Sequence, residues 1–232
     1  MKLQQDELQR FKMLSRQKIW PTRSAQWLCE NHEFRFHLPT LRTLPLHPAA
    51  LRALAYDTFV TDRDLLWTYF AWICTIEGRL EALLASNWHD LLEPIHKLRR
   101  GRMSMAVGLR EIRLRARGPA APWLSPAEVC NLLTISTPCE NACLIDAWAA
   151  QSVRHIFDAP VAPIRSDKNG FELLAPPSGE QFEAYCSATT QIGTLVKLHR
   201  EDVEARIMAI PTQRRCPWHE YLHANGREAV RS

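Results

Sequence analysis

Two helix-start signals twelve residues apart constrain this chain more than any other feature. Ser125-Pro126-Ala127-Glu128 has the form of a capping box, with proline at the first helical position. Leu124 and Val129 stand where a hydrophobic staple would clamp that helix start. Thr137-Pro138-Cys139-Glu140 repeats the cap-Pro-x-Glu device. The spacing predicts a short helix over 126–133, a turn at 134–137 and a longer helix over about 138–157. Val161–Arg165 and Phe171–Ala175 then flank Ser166–Gly170, whose Asn-Gly pair predicts a β-hairpin. Pro176-Pro177 mark a boundary. Ser178-Gly179-Glu180-Gln181 predicts a further N-cap, for a helix from 180 to about 199 that continues to Ile210, where Pro211 ends it.

Short helix, tight turn, long helix and hairpin is the order of a helix-turn-helix with a wing. The segment over about 123–175 resembles a winged helix at the level of fold, and no sequence family is identified by it. The resemblance implies that the second helix enters the DNA major groove. That helix carries Glu140 and Asp146 and has no Lys or Arg before Arg154. An acidic face repels phosphate, and phosphate contacts dominate affinity for nucleic acid. The residues therefore support the shape and argue against its commonest use. Winged helices also serve as protein-contact modules.

Positive charge is concentrated elsewhere. Lys97, Arg99, Arg100, Arg102, Arg110, Arg113, Arg115 and Arg117 lie within 21 residues whose only acid is Glu111, a net +7. The whole chain carries +4, so the remainder is −3. An even spread of its 29 Lys and Arg would place fewer than three in such a window. Seven of the eight are Arg, whose planar fork suits phosphate and carboxylate. Leu109–Arg117 alternates Ile112, Leu114 and Ala116 with Arg113, Arg115 and Arg117, which predicts a strand with one Arg-lined face. The cluster also fits a solvated face, a charge-blunted sheet edge or a site for an acidic protein.

The first half of the chain reads as mostly helical. Apolar spacing over 3–20 predicts a helix stopped by Pro21. Phe34, Phe36 and Leu38 alternate with polar residues over His32–Leu38, predicting a half-buried strand. Pro39, Pro45 and Pro48 make 39–48 a loop, and a helix follows over about 49–60. Thr61 is the N-cap of a central core helix running to about Ala85, with Asp62 and Asp64 in its first turn. Pro94 breaks the pattern before a shorter segment over 95–106. The fold class is mainly α with minor β (α+β). Residues 1–120 form a helical region with a small sheet. Residues 121–232 form the winged-helix-like module, a C-terminal helix and a polar tail.

The longest apolar stretch, Leu65–Ile76, is twelve residues, and a bilayer needs about 20. Met1–Lys12 has no apolar run after it, so a signal peptide is not expected. Seven Cys, odd in number and widely spaced, read as reduced thiols of a cytoplasmic protein. A hydrophobic content of 46% with 8 Gly and 15 Pro excludes disordered and collagen-like classes.

Catalytic signatures are weak. Cys216, His219 and His223 have metal-like spacing, as do Cys29, His32 and His37, but neither set has a Cys-x2-Cys knuckle. Glu93–His96 and Glu220–His223 match the di-iron tetrad in spacing only. No phosphate loop or nucleophile elbow occurs in the chain. No catalytic residue, metal or cofactor is assigned, and the reading leans away from an enzyme. The expectation is a cytoplasmic, bacterial-type nucleic-acid-binding protein of a regulatory kind, using the eight cations of 97–117 and no membrane. The alternative is a non-enzymatic adaptor or scaffold subunit that binds protein partners.

Overall fold

The computed structural model describes residues 1–16, 89–116, 125–136, 142–159, 161–167, 170–208 and 216–226. The chain is mainly helical with a small two-stranded antiparallel sheet. Contacts divide it into two compact units, one formed by Met1–Trp20 with Asn141–Ser232 and the other by Pro21–Glu140. The predicted strand at 32–38, the helices over 49–60 and 61–85, the Leu124–Val129 staple and the Cys29, His32 and His37 set all lie at least partly outside the described residues.

In the first unit, helix α1 spans Gln5–Leu14. It is shorter than the predicted 3–20, ending at Ser15, whose N–H bonds the Phe11 carbonyl. Phe11 is fully buried and meets Trp218 edge-on, with ring centroids 5.2 Å apart. Gln4 N–H donates to the Ile156 carbonyl at 2.8 Å, and Arg206 Nη1 donates to the Ser15 carbonyl at 2.6 Å. Both ends of α1 are thus tied to residues far along the chain.

Residues 142–146 are irregular rather than helical, a correction to the predicted helix over 138–157. Their backbone groups find side-chain partners instead of helical ones. Leu144 N–H donates to Glu204 Oε1 at 2.8 Å, and the Tyr185 hydroxyl donates to the Leu144 carbonyl at 2.5 Å. Buried backbone groups must be paired, and these long-range partners satisfy them without a helix. Asp146 takes the N-cap role, accepting from Ala149 N–H at 2.7 Å, and α2 follows over Ala147–Phe157.

The hairpin is present. Strand β1, Ile164–Asp167, pairs antiparallel with β2, Gly170–Leu173, in the register Ile164↔Leu173 to Asp167↔Gly170. Its turn, 168–169, lies outside the described residues. Phe171 meets Trp148 of α2 edge-on at 4.8 Å.

Helix α3 spans Gly179–Val196 and starts with the predicted capping box. Ser178 Oγ accepts from Gln181 N–H at 3.2 Å, and Gln181 Oε1 accepts from Ser178 N–H at 2.8 Å. The helix does not continue to Ile210. Lys197 adopts the left-handed conformation and its N–H reaches back to the Gly193 and Thr194 carbonyls. Helix α4 resumes over Arg200–Ile207, and α5 covers Pro217–Gly226. Trp218 Nε1 donates to Ser152 Oγ at 3.0 Å, and that hydroxyl donates to the Trp148 carbonyl at 2.7 Å. The buried indole N–H is therefore satisfied.

In the second unit, the described residues hold helices α6 (His89–Arg99), α7 (Met105–Ala116) and α8 (Pro126–Ser136), each packed on the other two. Pro94 lies inside α6 and is buried beside Ile95 and Leu98, so it does not end the helix as predicted. The capping box at the start of α8 is present: Glu128 N–H donates to Ser125 Oγ at 3.2 Å, and the Glu128 carboxylate accepts from Ser125 N–H.

The predicted Arg-faced strand at 109–117 is instead part of helix α7. Leu109 and Ile112 are buried while Leu114 is 60% exposed, so burial follows a spacing of three rather than two. Leu, Arg, Glu, Met and Ala are good helix formers, and their propensity agrees with the burial. Helices α8 and α2, which the cap spacing assigns to one helix-turn-helix, belong to different units.

Candidate nucleic-acid interface

The turn between α6 and α7 is built by two local signals. Gly101, at φ +65°, follows the helix end in a left-handed conformation that glycine adopts at little cost. Gly101 N–H donates to the Leu98 carbonyl at 2.9 Å and Arg102 N–H to the Lys97 carbonyl at 2.8 Å. This pair of bonds is the Schellman closure of α6. Ser104 then begins α7, with Val107 N–H 3.4 Å from its Oγ. Where a Cβ would stand on Gly108, Leu98 Cδ1 is only 2.8 Å away, so the two helices lie close.

Six of the eight predicted site residues have described side chains, and these separate into three groups on this hairpin. Lys97 and Arg115 are held by one carboxylate. Lys97 Nζ lies 2.7 Å from Glu93 Oε1, and Arg115 Nη2 lies 2.6 Å from Glu93 Oε2 and 4.0 Å from Glu111 Oε2. The hydrogen bond from Lys97, then that from Arg115, holds the Glu93 carboxyl down to about 2 from its ordinary 4.5. Arg99, in the last turn of α6, is half-buried. Arg100, Arg102 and Arg110 are exposed, and among the described residues no carboxylate pairs with them. The Arg113 side chain and all of Arg117 lie outside the described residues. The helix that replaced the strand changes the neighbours. Arg115 is turned towards Glu93 of α6, and Arg110 stands between exposed Val107 and Leu114.

Residue patterning did not reveal a polar cluster in the first unit. The Tyr221 hydroxyl donates to Glu7 Oε1 at 2.9 Å and also meets Arg10 Nη1, whose guanidinium lies 4.5 Å from the Tyr221 ring centre. His155 Nε2 faces Glu7 Oε2 at 2.9 Å. Burial first, then the hydrogen bond to Glu7, push the Tyr221 hydroxyl above its ordinary 10.0, against the pull of Arg10. Glu7 and Arg10 are more than 200 residues from Tyr221, so no local pattern carries the contact. The cluster joins α1, α2 and α5.

Cys143 and Cys186 meet in the core of the same unit. Cys143 N–H donates to Cys186 Sγ at 3.3 Å. The thiol hydrogen bond with Cys186, followed by burial, drives the Cys143 thiol well above its ordinary 9.0. Such a thiol is an inert packing group. Cys216 is buried, its thiol pushed up by that burial, and His219 Nε2 lies 3.1 Å from the Ile207 carbonyl. His223 stacks on Trp148 at 6.1 Å. Among the described residues no group of three or more His, Cys, Asp and Glu is arranged to hold a metal ion. Among them, too, no helix is long and apolar enough to cross a membrane.

Comparison with protein-family models, curated proteins and solved structures finds no match to this chain.

Proposed function

We propose that this is a cytoplasmic protein that binds nucleic acid through arginines of the α6–α7 hairpin. One observation carries the reading: Arg100, Arg102 and Arg110 are exposed and, among the described residues, pair with no carboxylate, while Glu93 pairs with Lys97 and Arg115. Exposed guanidinium groups left unpaired in one hairpin suit bidentate phosphate contacts. In this reading the first unit does not contact phosphate. Its helix α2 and its β-hairpin hold a protein partner.

The test is fluorescence anisotropy of a labelled duplex titrated with the full chain between 50 and 200 mM salt. Three phosphate contacts give a log–log salt slope near −2.7, or roughly a forty-fold loss of affinity over that range. Replacing Arg100, Arg102 and Arg110 together by Glu removes binding and leaves the far-ultraviolet circular dichroism unchanged, because all three are exposed. Absence of binding at the lowest salt rejects the reading.

The adaptor alternative draws on a different observation. Leu114 is 60% and Val107 37% exposed beside Arg110, a mixed apolar and basic surface that suits an acidic protein. Co-purification with an acidic partner, in place of nucleic acid, is its expected outcome.

A further inference from the structure

Resting on the nucleic-acid reading, we infer that α7 is the helix that enters the major groove of duplex DNA, with Val107, Arg110 and Leu114 turned to base edges and Arg100 and Arg102 on the phosphate backbone.

The argument begins with what points outward. Leu109 and Ile112 bury α7 against its own unit, so one face is committed to the core. Val107, Arg110 and Leu114 follow an i, i+3, i+7 spacing and share the face left in solvent. The turn before α7 is pinned at both sides, by the Gly101 closure of α6 and by Ser104. The protruding face is therefore presented at a fixed angle rather than on a mobile loop. Two packed helices joined by a short turn containing glycine share the connectivity of the element whose second helix docks in DNA grooves.

Dimensions and chemistry agree with that occupant. Twelve residues of helix are about 18 Å long, and the step from Val107 to Leu114 is about 10.5 Å. At roughly 3.4 Å per base pair that step spans about three pairs. The major groove is about 12 Å wide and admits a helix. An arginine fork matches the O6 and N7 acceptors of guanine, and aliphatic side chains match the thymine methyl. The first turn of α7 carries no acid, and Arg100 and Arg102 precede it, so the approaching end is complementary to the phosphate backbone. Leu114, 60% exposed, costs little in solvent and gains an apolar contact in a groove.

Other occupants fit less well. The major groove of double-stranded RNA is too deep and narrow for a helix. A protein partner anchors on a contiguous, fully desolvated apolar centre, whereas the two aliphatic side chains here are separated by a charged one.

The experiment selects binders of the full chain from a randomised duplex pool. Affinity is then measured for the enriched duplex, a scrambled duplex, a double-stranded RNA and polyglutamate. A short enriched motif is expected, of about three to four base pairs. Arg110→Lys keeps the charge and loses the fork, so it lowers affinity for the enriched duplex by roughly tenfold with an unchanged salt slope. Leu114→Ala acts likewise. Arg100→Ala and Arg102→Ala weaken both duplexes equally, and each reduces the salt slope by about one. Thermal melts followed by circular dichroism confirm that these exposed substitutions leave the fold intact. A pool that stays random, α7 variants that weaken both duplexes alike, or equal affinity for double-stranded RNA overturns the groove assignment and leaves nucleic-acid binding standing. No binding to any nucleic acid, or polyglutamate bound as tightly as DNA, overturns both.

Discussion

Replacing Phe11 by Ala tests whether the first residues of the chain belong to the unit formed by its last ninety. Phe11 is 0% exposed and sits edge-on to Trp218, itself fully buried. Truncating a buried Phe to Ala costs about 3–5 kcal/mol, from lost transfer energy and from the cavity left behind. The edge-on aromatic contact accounts for about 0.5–1.5 kcal/mol of that. The cavity wall includes an indole whose N–H is bonded to Ser152 at 3.0 Å, so it does not collapse inward freely. A loss of about 3–4 kcal/mol follows. With a urea dependence of about 2 kcal/mol per molar, the unfolding midpoint of this unit falls by roughly 1.5–2 M. Met13→Ala is the control, two residues away on the same helix and 62% exposed. It changes stability by no more than about 0.5 kcal/mol. Urea denaturation followed by circular dichroism measures both. A Phe11→Ala loss below about 1 kcal/mol, or one equal to that of Met13→Ala, would refute the docking of α1 and the discontinuous unit built on it.

Four further predictions rest on individual contacts. Gly170→Ala destabilises the first unit by about 2–4 kcal/mol in the same assay, because φ is +143° and the new Cβ would stand 2.5 Å from the Trp148 ring. Glu93, depressed in the folded chain, contributes stability that is present above pH 4.5 and lost as pH falls towards about 2. A carboxyl-carbon NMR titration of Glu93 centred near 4.5 would contradict the Lys97 and Arg115 contacts. On the nucleic-acid reading, Glu93→Gln releases Lys97 from its carboxylate while Arg115 stays beside Glu111, and it steepens the salt dependence of duplex binding by about one. Cys143 resists alkylation at neutral pH in the native chain and reacts only after unfolding, since its thiol is buried and raised. Rapid labelling of Cys143 by iodoacetamide, read by mass spectrometry, would contradict that burial.

Local signals in the sequence survived where no distant group competed with them. Ser178 and Gln181 form their capping box, Ser125 and Glu128 form theirs, and the hairpin at 164–173 lies where its turn residues pointed. These devices satisfy backbone groups within a few residues, so the chain need not know its tertiary partners. The Schellman glycine at 101 and the Ser104 cap were equally local and equally readable. They were obscured by the period-two pattern of Ile112–Arg117, which an α-helix also tolerates when only part of its apolar set is buried.

What the amino-acid order alone determined was helical class, the helix starts that carry their own caps, and the concentration of arginine between 97 and 117. Tertiary packing decided the rest. It held 142–146 out of the helix by pairing Leu144 with Glu204 and Tyr185, sixty and forty-one residues away. It seated α1 against Trp218, and it used one glutamate to neutralise two of the clustered cations. The reason is range: a cap closes within one turn of backbone, whereas burial and ion pairing depend on which surfaces meet, and no spacing along the chain encodes that meeting.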